Sequence, residues 1–393
     1  MESTSPAMVM PTARQNPFDP PEALRRRQGL GPIHRMTYVD GGQGWLVTGF
    51  AAARAILADP RFSVRPDHMR SPVAQPARTP VPPGFFLHMD PPEHDHYRRL
   101  LTGDFTVRRM KLLEPEIEAI VNDQLNAMEL AGGPADLFKA FALPIPSQVI
   151  GELLGVPYSD RQGFQRNAAT LLNIDLAPEH RQEAVRELMA YLRDLLRHKH
   201  SWPEEDVLSG LAAHEGLTAD ERAGLALLLL IAGHETTTNM LALGAFALLA
   251  NPAQLAEVRD KEEDAPAVVE ELLRYLTIIQ HVVRVALEDI ELHGCLIKAG
   301  ESVTVALSAA NRDADHVADP DALDLTRSTA GHLAFGHGIH QCLGQRLARA
   351  EMRIALPALL RRFPALRLTV APEEVPLRSA MTVYGVHELP VTW

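Results

Sequence analysis

The chain has 393 residues, 46% hydrophobic and 22% charged, enough apolar side chains to bury a large core. With 38 basic against 50 acidic residues the net charge is −12, which argues against a nucleic-acid binder. The two cysteines, Cys295 and Cys342, stand far apart, which fits a reducing, cytoplasmic compartment and not a disulfide framework.

Residues 1–35 are polar and Pro-rich, without the basic-then-apolar pattern of a signal peptide, and read as a flexible N-terminal segment. Residues 36–393 show neither an internal repeat nor a linker and read as one catalytic domain. Trp45 to Val47 predicts a short strand, followed by an Ala-rich helix ending near Asp59-Pro60. The stretch 63–89 holds six prolines and no period, so it reads as a long loop of the functional kind. Asp90-Pro91-Pro92-Glu93 predicts a helix start, with Asp90 as N-cap. Ile117, Ile120, Val121, Leu125 and Met128 follow helical spacing, and further helices are predicted around 144–155, 159–173 and 179–199.

Thr218-Ala219-Asp220-Glu221 is a capping box opening a long helix to about Ala250, where Asn251-Pro252 stops it. This helix comes closest to a membrane span. The cluster Gly233 to Asn239 in its middle makes that costly, so it reads as a buried core helix with a functional break. Another helix starts at Asp264-Ala265-Pro266 and runs through Tyr275. Strands are predicted at 282–286, 290–296 and 303–307, then an irregular stretch at 311–341, then a helix after Cys342. That last helix carries Leu347, Ala350, Ile354 and Ala358 on one face and Arg346, Arg349 and Arg353 on another; Pro357 should kink or end it. The fold class is mainly α with a smaller β-rich part.

Cys342 sits in Phe335-Gly336-His337-Gly338-Ile339-His340-Gln341-Cys342-Leu343-Gly344. The glycines permit positive φ and close approach to a flat ligand. The N-terminus of the following helix favours thiolate, so the sulfur can be a nucleophile or a soft metal ligand. In Ala232-Gly233-His234-Glu235-Thr236-Thr237 the small residues leave room for a ligand. A Thr hydroxyl there can bond the i−4 carbonyl and open the helix locally, and Glu235 with Thr236 can pass protons. Glu271 and Arg274 are spaced to pair on one helix face. His94 and Arg98 share a face at i, i+4, with His96 and Arg99 off it. Arg284 lies in a predicted strand, and His340 lies two residues before Cys342.

The ordered set F-G-x-G-x-H-x-C-x-G, A-G-H-E-T-T, E-x-x-R and D-P-P-E-H-x-x-x-R resembles the cytochrome P450 superfamily, soluble bacterial type, over about residues 40–393. The resemblance implies the P450 fold, with Cys342 as proximal ligand of a haem b iron in the loop of Phe335, Gly336 and Gly344. It implies Ala232 and Gly233 beside the haem, and His94, Arg98, Arg284 and His340 at its propionates. Thr236 and Glu235 would be catalytic, and Glu271 with Arg274 structural. The pattern departs at Pro320-Asp321-Ala322-Leu323, where Ala322 replaces the Arg that usually completes the Glu271–Arg274 element.

The implied activity is hydroxylation or epoxidation with O2, using NAD(P)H electrons delivered by a separate ferredoxin and ferredoxin reductase. The arginine face after Cys342 would dock that carrier. The expected enzyme is a monomer without a membrane anchor. A hydrophobic natural product such as a polyketide or macrocycle would be its substrate, in a pocket of Phe85, Phe86, Leu87, Leu172, Leu229, Ala232, Ile278, Ile279, Val282 and the turn from Met381 to Tyr384. A peroxide-driven peroxygenase, a non-catalytic haem-thiolate sensor or carrier, and a haem-free Cys nucleophile are the alternatives.

Overall fold

Thr218 and Glu221 close the capping box expected of them. The Thr218 hydroxyl accepts from the Glu221 N–H (3.2 Å), and the Glu221 carboxylate accepts from the Thr218 N–H (2.7 Å). Thirty-one helical residues follow, Ala219–Leu249, the longest element of the protein. The computed structural model describes residues 10–73, 81–172, 176–260, 265–327, 329, 331–378 and 383–393.

The N-terminal elements are α1 (Glu22–Gln28), β1 (Ile33–Thr37), β2 (Gln43–Val47), α2 (Phe50–Ala58) and β3 (Phe62–Ser63). A helical series follows: α3 (Glu93–Thr102), α4 (Val107–Ala131), the short β4 (Ala135–Asp136), α5 (Pro144–Leu154), α6 (Arg161–Leu172), α7 (Pro178–Ser201) and α8 (Val207–Ala213). Then come α9 (Ala219–Leu249), α10 (Pro252–Asp260) and α11 (Ala265–Leu276). The C-terminal part holds β5 (Val282–Ala286), β6 (Ile290–Leu292), β7 (Cys295–Ile297), β8 (Ser302–Val305), α12 (Leu307–Ala310), α13 (Gln345–Arg362), β9 (Arg367–Leu368) and β10 (Pro390–Thr392).

Apolar side chains surround α9, and its Leu225, Leu241, Leu243 and Phe246 are completely buried among α5, α7, α11 and α13. It is long and apolar enough to cross a membrane, but 72% of its apolar window is buried in the protein. The main sheet has the order β1-β2-β8-β5-β3, antiparallel except for β2–β8. It pairs Trp45 with Val303 and Arg284 with Val303. The protein is thus mainly helical with small sheets.

Several local expectations change. The segment 1–35 is not a loose lead-in where it is described. Leu24 of α1 is fully buried, and Phe18 packs on Phe246 with ring centroids 4.7 Å apart. Asp90 does not cap α3; its carboxylate instead accepts from the Ser63 hydroxyl (2.6 Å) and the Val64 N–H (2.9 Å), tying the loop to β3. The strand expected at 290–296 is a hairpin, because His293 and Gly294 both take positive φ and reverse the chain. After β8 the chain turns into α12 at Leu307, and α10 begins at Pro252, the residue expected only to stop α9. Pro357 sits inside α13, which continues to Arg362. Burial of Ala355, Leu356, Leu359 and Leu360 around it outweighs one lost helix bond, a cost of about 3 kcal/mol.

Candidate active site

The Cys342 loop is shaped by its own backbone. The Cys342 N–H donates to the Phe335 carbonyl (2.9 Å) and that of Gln341 to Gly338 (3.0 Å). Gly336 and Gly338 have φ of 69° and 73°. A Cβ on Gly338 would stand 2.3 Å from the Leu57 carbonyl oxygen, so only glycine lets the loop press against α2. Gly344 ends the loop as the N-cap of α13. Cys342 is enclosed by protein, yet its own surface is open, so it faces an internal space. Burial pushes its thiol up. The N–H groups of Gly344 and Gln345 and the charges of Arg98 and Arg349 pull the other way without winning. The helix end alone therefore does not produce the expected thiolate; a bound metal cation would.

Five basic side chains converge beside this loop. Arg98 of α3 donates to the Gln341 carbonyl (2.7 Å), next to Cys342. The His94 ring lies 4.2 Å from that of His340, and Arg284 and His88 are close enough to act on His340 as well. Burial first, then Arg284, His94, Arg98 and His88, push His340 down to about 3. Among the described residues neither Arg98 nor Arg284 has a carboxylate within ion-pair distance; Arg284 donates to its neighbour's carbonyl at Val283 (2.9 Å). His94 is fully buried, with Nδ1 on Asp95 (2.9 Å) and Nε2 without a partner. Two guanidinium groups without a carboxylate within ion-pair distance fit an anionic ligand. His88 was missed in sequence, because in a Pro-rich loop it has no periodicity to place it.

On α9 the Thr236 hydroxyl donates to the Ala232 carbonyl (2.7 Å), as its position four residues on predicts. Thr238 and the Asn239 amide repeat this on His234 and Glu235, both at 2.8 Å. The helix nevertheless stays continuous; the expected opening is absent because the carbonyls accept a second donor without leaving the ladder. Ala232 is exposed near the middle of a mostly buried helix, and Ile231, Gly233, Glu235 and Thr236 around it are half-buried, so this face too borders an internal space. Gly233 serves packing instead: a Cβ there would lie 2.9 Å from Cδ1 of Ile150 on α5. Burial raises the Glu235 carboxyl, opposed by Arg378 at 3.6 Å, which also donates to Asn239 (3.4 Å). Sequence spacing gave no sign of Arg378, which only the fold brings to α9.

Glu271 and Arg274 are fully buried and paired through two bonds of 2.8 Å. Arg274 also reaches the carbonyls of Asn311 (3.0 Å), Pro320 (2.8 Å) and Ala322 (3.3 Å), while the Asp324 N–H donates to Glu271 (3.0 Å). Main chain therefore supplies the arm that a side chain at 322 would have provided.

The arginines after Cys342 are largely committed within the protein. Arg346 donates to the Phe105 carbonyl (3.1 Å), Arg349 pairs with Glu270 (2.9 Å) and Arg353 with Glu114. The expected free basic face is thus mostly neutralised. Arg349 also stacks on Phe335, 4.5 Å from the ring centre. Of the expected pocket residues, Phe86, Leu229 and Ile278 are buried, Phe85, Ile279 and Val282 half-buried, and Leu87 exposed. Leu172 closes α6 with a side chain outside the described residues, as Met381 is altogether.

A family model described as Cytochrome P450 matches residues 265–389, from α11 through the Cys342 loop. Cytochrome P450 105C1 of a Streptomyces species is 47% identical, covering 97% of each chain. Pentalenic acid synthase of Streptomyces avermitilis is 46% identical over 100% of this chain and 98% of its own. The crystal structure of CYP105P1 in complex with filipin I superposes at a TM-score of 0.90, with 41% identity and 99% of each chain covered. Relatives more than 45% identical over nearly their whole length place this fold: the chain belongs to the cytochrome P450 family, as a haem-dependent monooxygenase of the bacterial type.

Proposed function

We propose that this monooxygenase hydroxylates or epoxidises a medium-sized or large hydrophobic natural product. Ferredoxin and ferredoxin reductase would supply electrons from NAD(P)H to a single cytoplasmic catalytic domain working as a monomer. The observation that carries the substrate reading is the open Ala232 surface, set beside buried Leu228 and Leu229 on α9, an apolar seat one turn before Glu235. Relatives named for pentalenic acid and crystallised with filipin I support the same class.

In this reading Cys342 would hold the haem iron, a fit given by its open sulfur, while Arg98, Arg284, His94 and His340 would hold the propionates. When bound, haem supplies the oxygen-activating chemistry, and thiolate donation favours O–O cleavage as a general property of this family. Thr236 holds its proton toward the Ala232 carbonyl and keeps its oxygen lone pairs for a donor on the open face. Burial raises the Glu235 carboxyl, so it takes up a proton more readily than an exposed carboxylate, while nearby Arg378 favours the ionised form left when that proton is passed on.

The reduced-CO difference spectrum of wild type and Cys342→Ser tests the ligand: the thiolate-type band should vanish with the substitution, and its survival would refute the assignment. A substrate screen should give low-spin to high-spin shifts with hydrophobic polycycles and macrocycles. Shifts with small charged acids alone would sink the substrate class. Product formation with ferredoxin, reductase and NAD(P)H but not with peroxide separates the reading from a peroxygenase.

A further inference from the structure

The N-terminal strip 14–19 touches the back of the expected substrate wall. That wall contains an antiparallel bridge between Ile279 and Val383, and the Tyr384 N–H donates to the Ile278 carbonyl (2.8 Å). Side chains alternate on extended backbone, so Ile279 and Val383 share one face while Gln280 and Tyr384 point to the other. Burial follows the alternation: Ile279 and Val383 are half-buried, Gln280 and Tyr384 buried. Arg14 grips both back-face residues. Its Nη2 donates to Gln280 Oε1 (2.9 Å), and its guanidinium lies 3.7 Å from the Tyr384 ring centre. The Tyr384 hydroxyl donates to the Pro17 carbonyl (2.6 Å).

The strip is itself anchored. Arg14 Nη1 donates to the Asp19 carbonyl (2.6 Å), Arg312 to the Phe18 carbonyl (2.9 Å), and Phe18 packs on Phe246 of α9. We propose that Arg14 is a positioning residue that fixes the Ile279–Val383 wall against α9 and so sets the fit of bulky substrates. The role in substrate fit rests on the reading of that wall as part of the pocket; the brace itself does not.

The test uses the full haem-loaded chain with Arg14→Gln, Arg14→Lys and Tyr384→Phe. Removing the guanidinium takes away the bonds it donates to the Asp19 carbonyl and to Gln280. Amide hydrogen exchange at Ile279–Gln280 and Val383–Tyr384 should then rise about tenfold in Arg14→Gln, with α13 unchanged. Unchanged exchange at the wall would overturn the brace, whether or not haem is bound. Spectral titration with two iron-binding azoles reads the pocket. Affinity for bulky 4-phenylimidazole should fall about tenfold, with small imidazole unchanged; Arg14→Lys should recover part of it and Tyr384→Phe lose less. Equal loss for both azoles, or none for 4-phenylimidazole, would overturn the positioning role. An absent Soret band in wild type would instead refute the haem reading and leave the exchange result to decide the brace.

Discussion

At Thr236 the hydroxyl proton is already committed to the Ala232 carbonyl, so in the proposed reaction it would serve through its oxygen and a fixed orientation. Thr236→Ala should keep haem and the substrate-induced spin shift while diverting reducing equivalents to peroxide. Thr236→Ser should keep most of the coupling. The ratio of NAD(P)H consumed to product and to peroxide checks this, and unchanged coupling in the alanine variant would remove Thr236 from the proton path. The cationic residues act differently, each as part of a charge set. Arg98→Gln or Arg284→Gln should speed haem loss to an acceptor protein on the order of tenfold, from one lost charge-assisted bond, without altering the thiolate spectrum. In sequence only the shared face of His94 and Arg98 was legible from spacing; the roles of Arg284 and His340 came from the family resemblance. His88 and Arg378 were not legible, because neither belongs to a periodic pattern.

Between elements, the link from α11 to α13 carries a pH dependence. Burial favours the neutral form of Glu270, but hydrogen bonds from His332 and Arg349 and their charges outweigh it and hold the carboxyl at about 2, below its ordinary 4.5. The folded state therefore prefers the ionised group. Its stabilisation is complete above about pH 5 and is lost as pH falls toward 2. Glu270→Gln should cost up to about 3 kcal/mol at pH 7, with the gap to wild type nearly closed by pH 2. Denaturant titrations of both proteins across that range check it; a gap independent of pH would refute the ion-pair origin. The Glu271–Arg274 pair next door has no such visible arm in sequence. At Ala322 a missing side chain looked like a missing contact, whereas the carbonyls of Pro320 and Ala322 and the Asp324 N–H complete it. Main-chain partners carry no side-chain signature.

Over the whole molecule, a net charge of −12 coexists with two guanidinium groups beside Cys342, Arg98 and Arg284, that have no ion-pair partner among the described residues. Haem binding should supply those partners, so removing haem should lower the thermal midpoint, and by less in Arg284→Gln than in wild type. Thermal scans of both forms test this; an equal loss in both proteins would remove Arg284 from the propionate set. Sequence by itself determined the helix-rich fold class, the capping box of α9, the glycine loop around Cys342 and the acid–alcohol pair. Each rests on short-range spacing, which one stretch of chain specifies alone. Tertiary structure decided what distant segments do to one another. It turned the N-terminal strip into a brace behind the wall, brought Arg378 to Glu235, neutralised the arginine face of α13 and kept that helix going past Pro357. These outcomes depend on which surfaces meet when the core closes, and no local pattern encodes the partner.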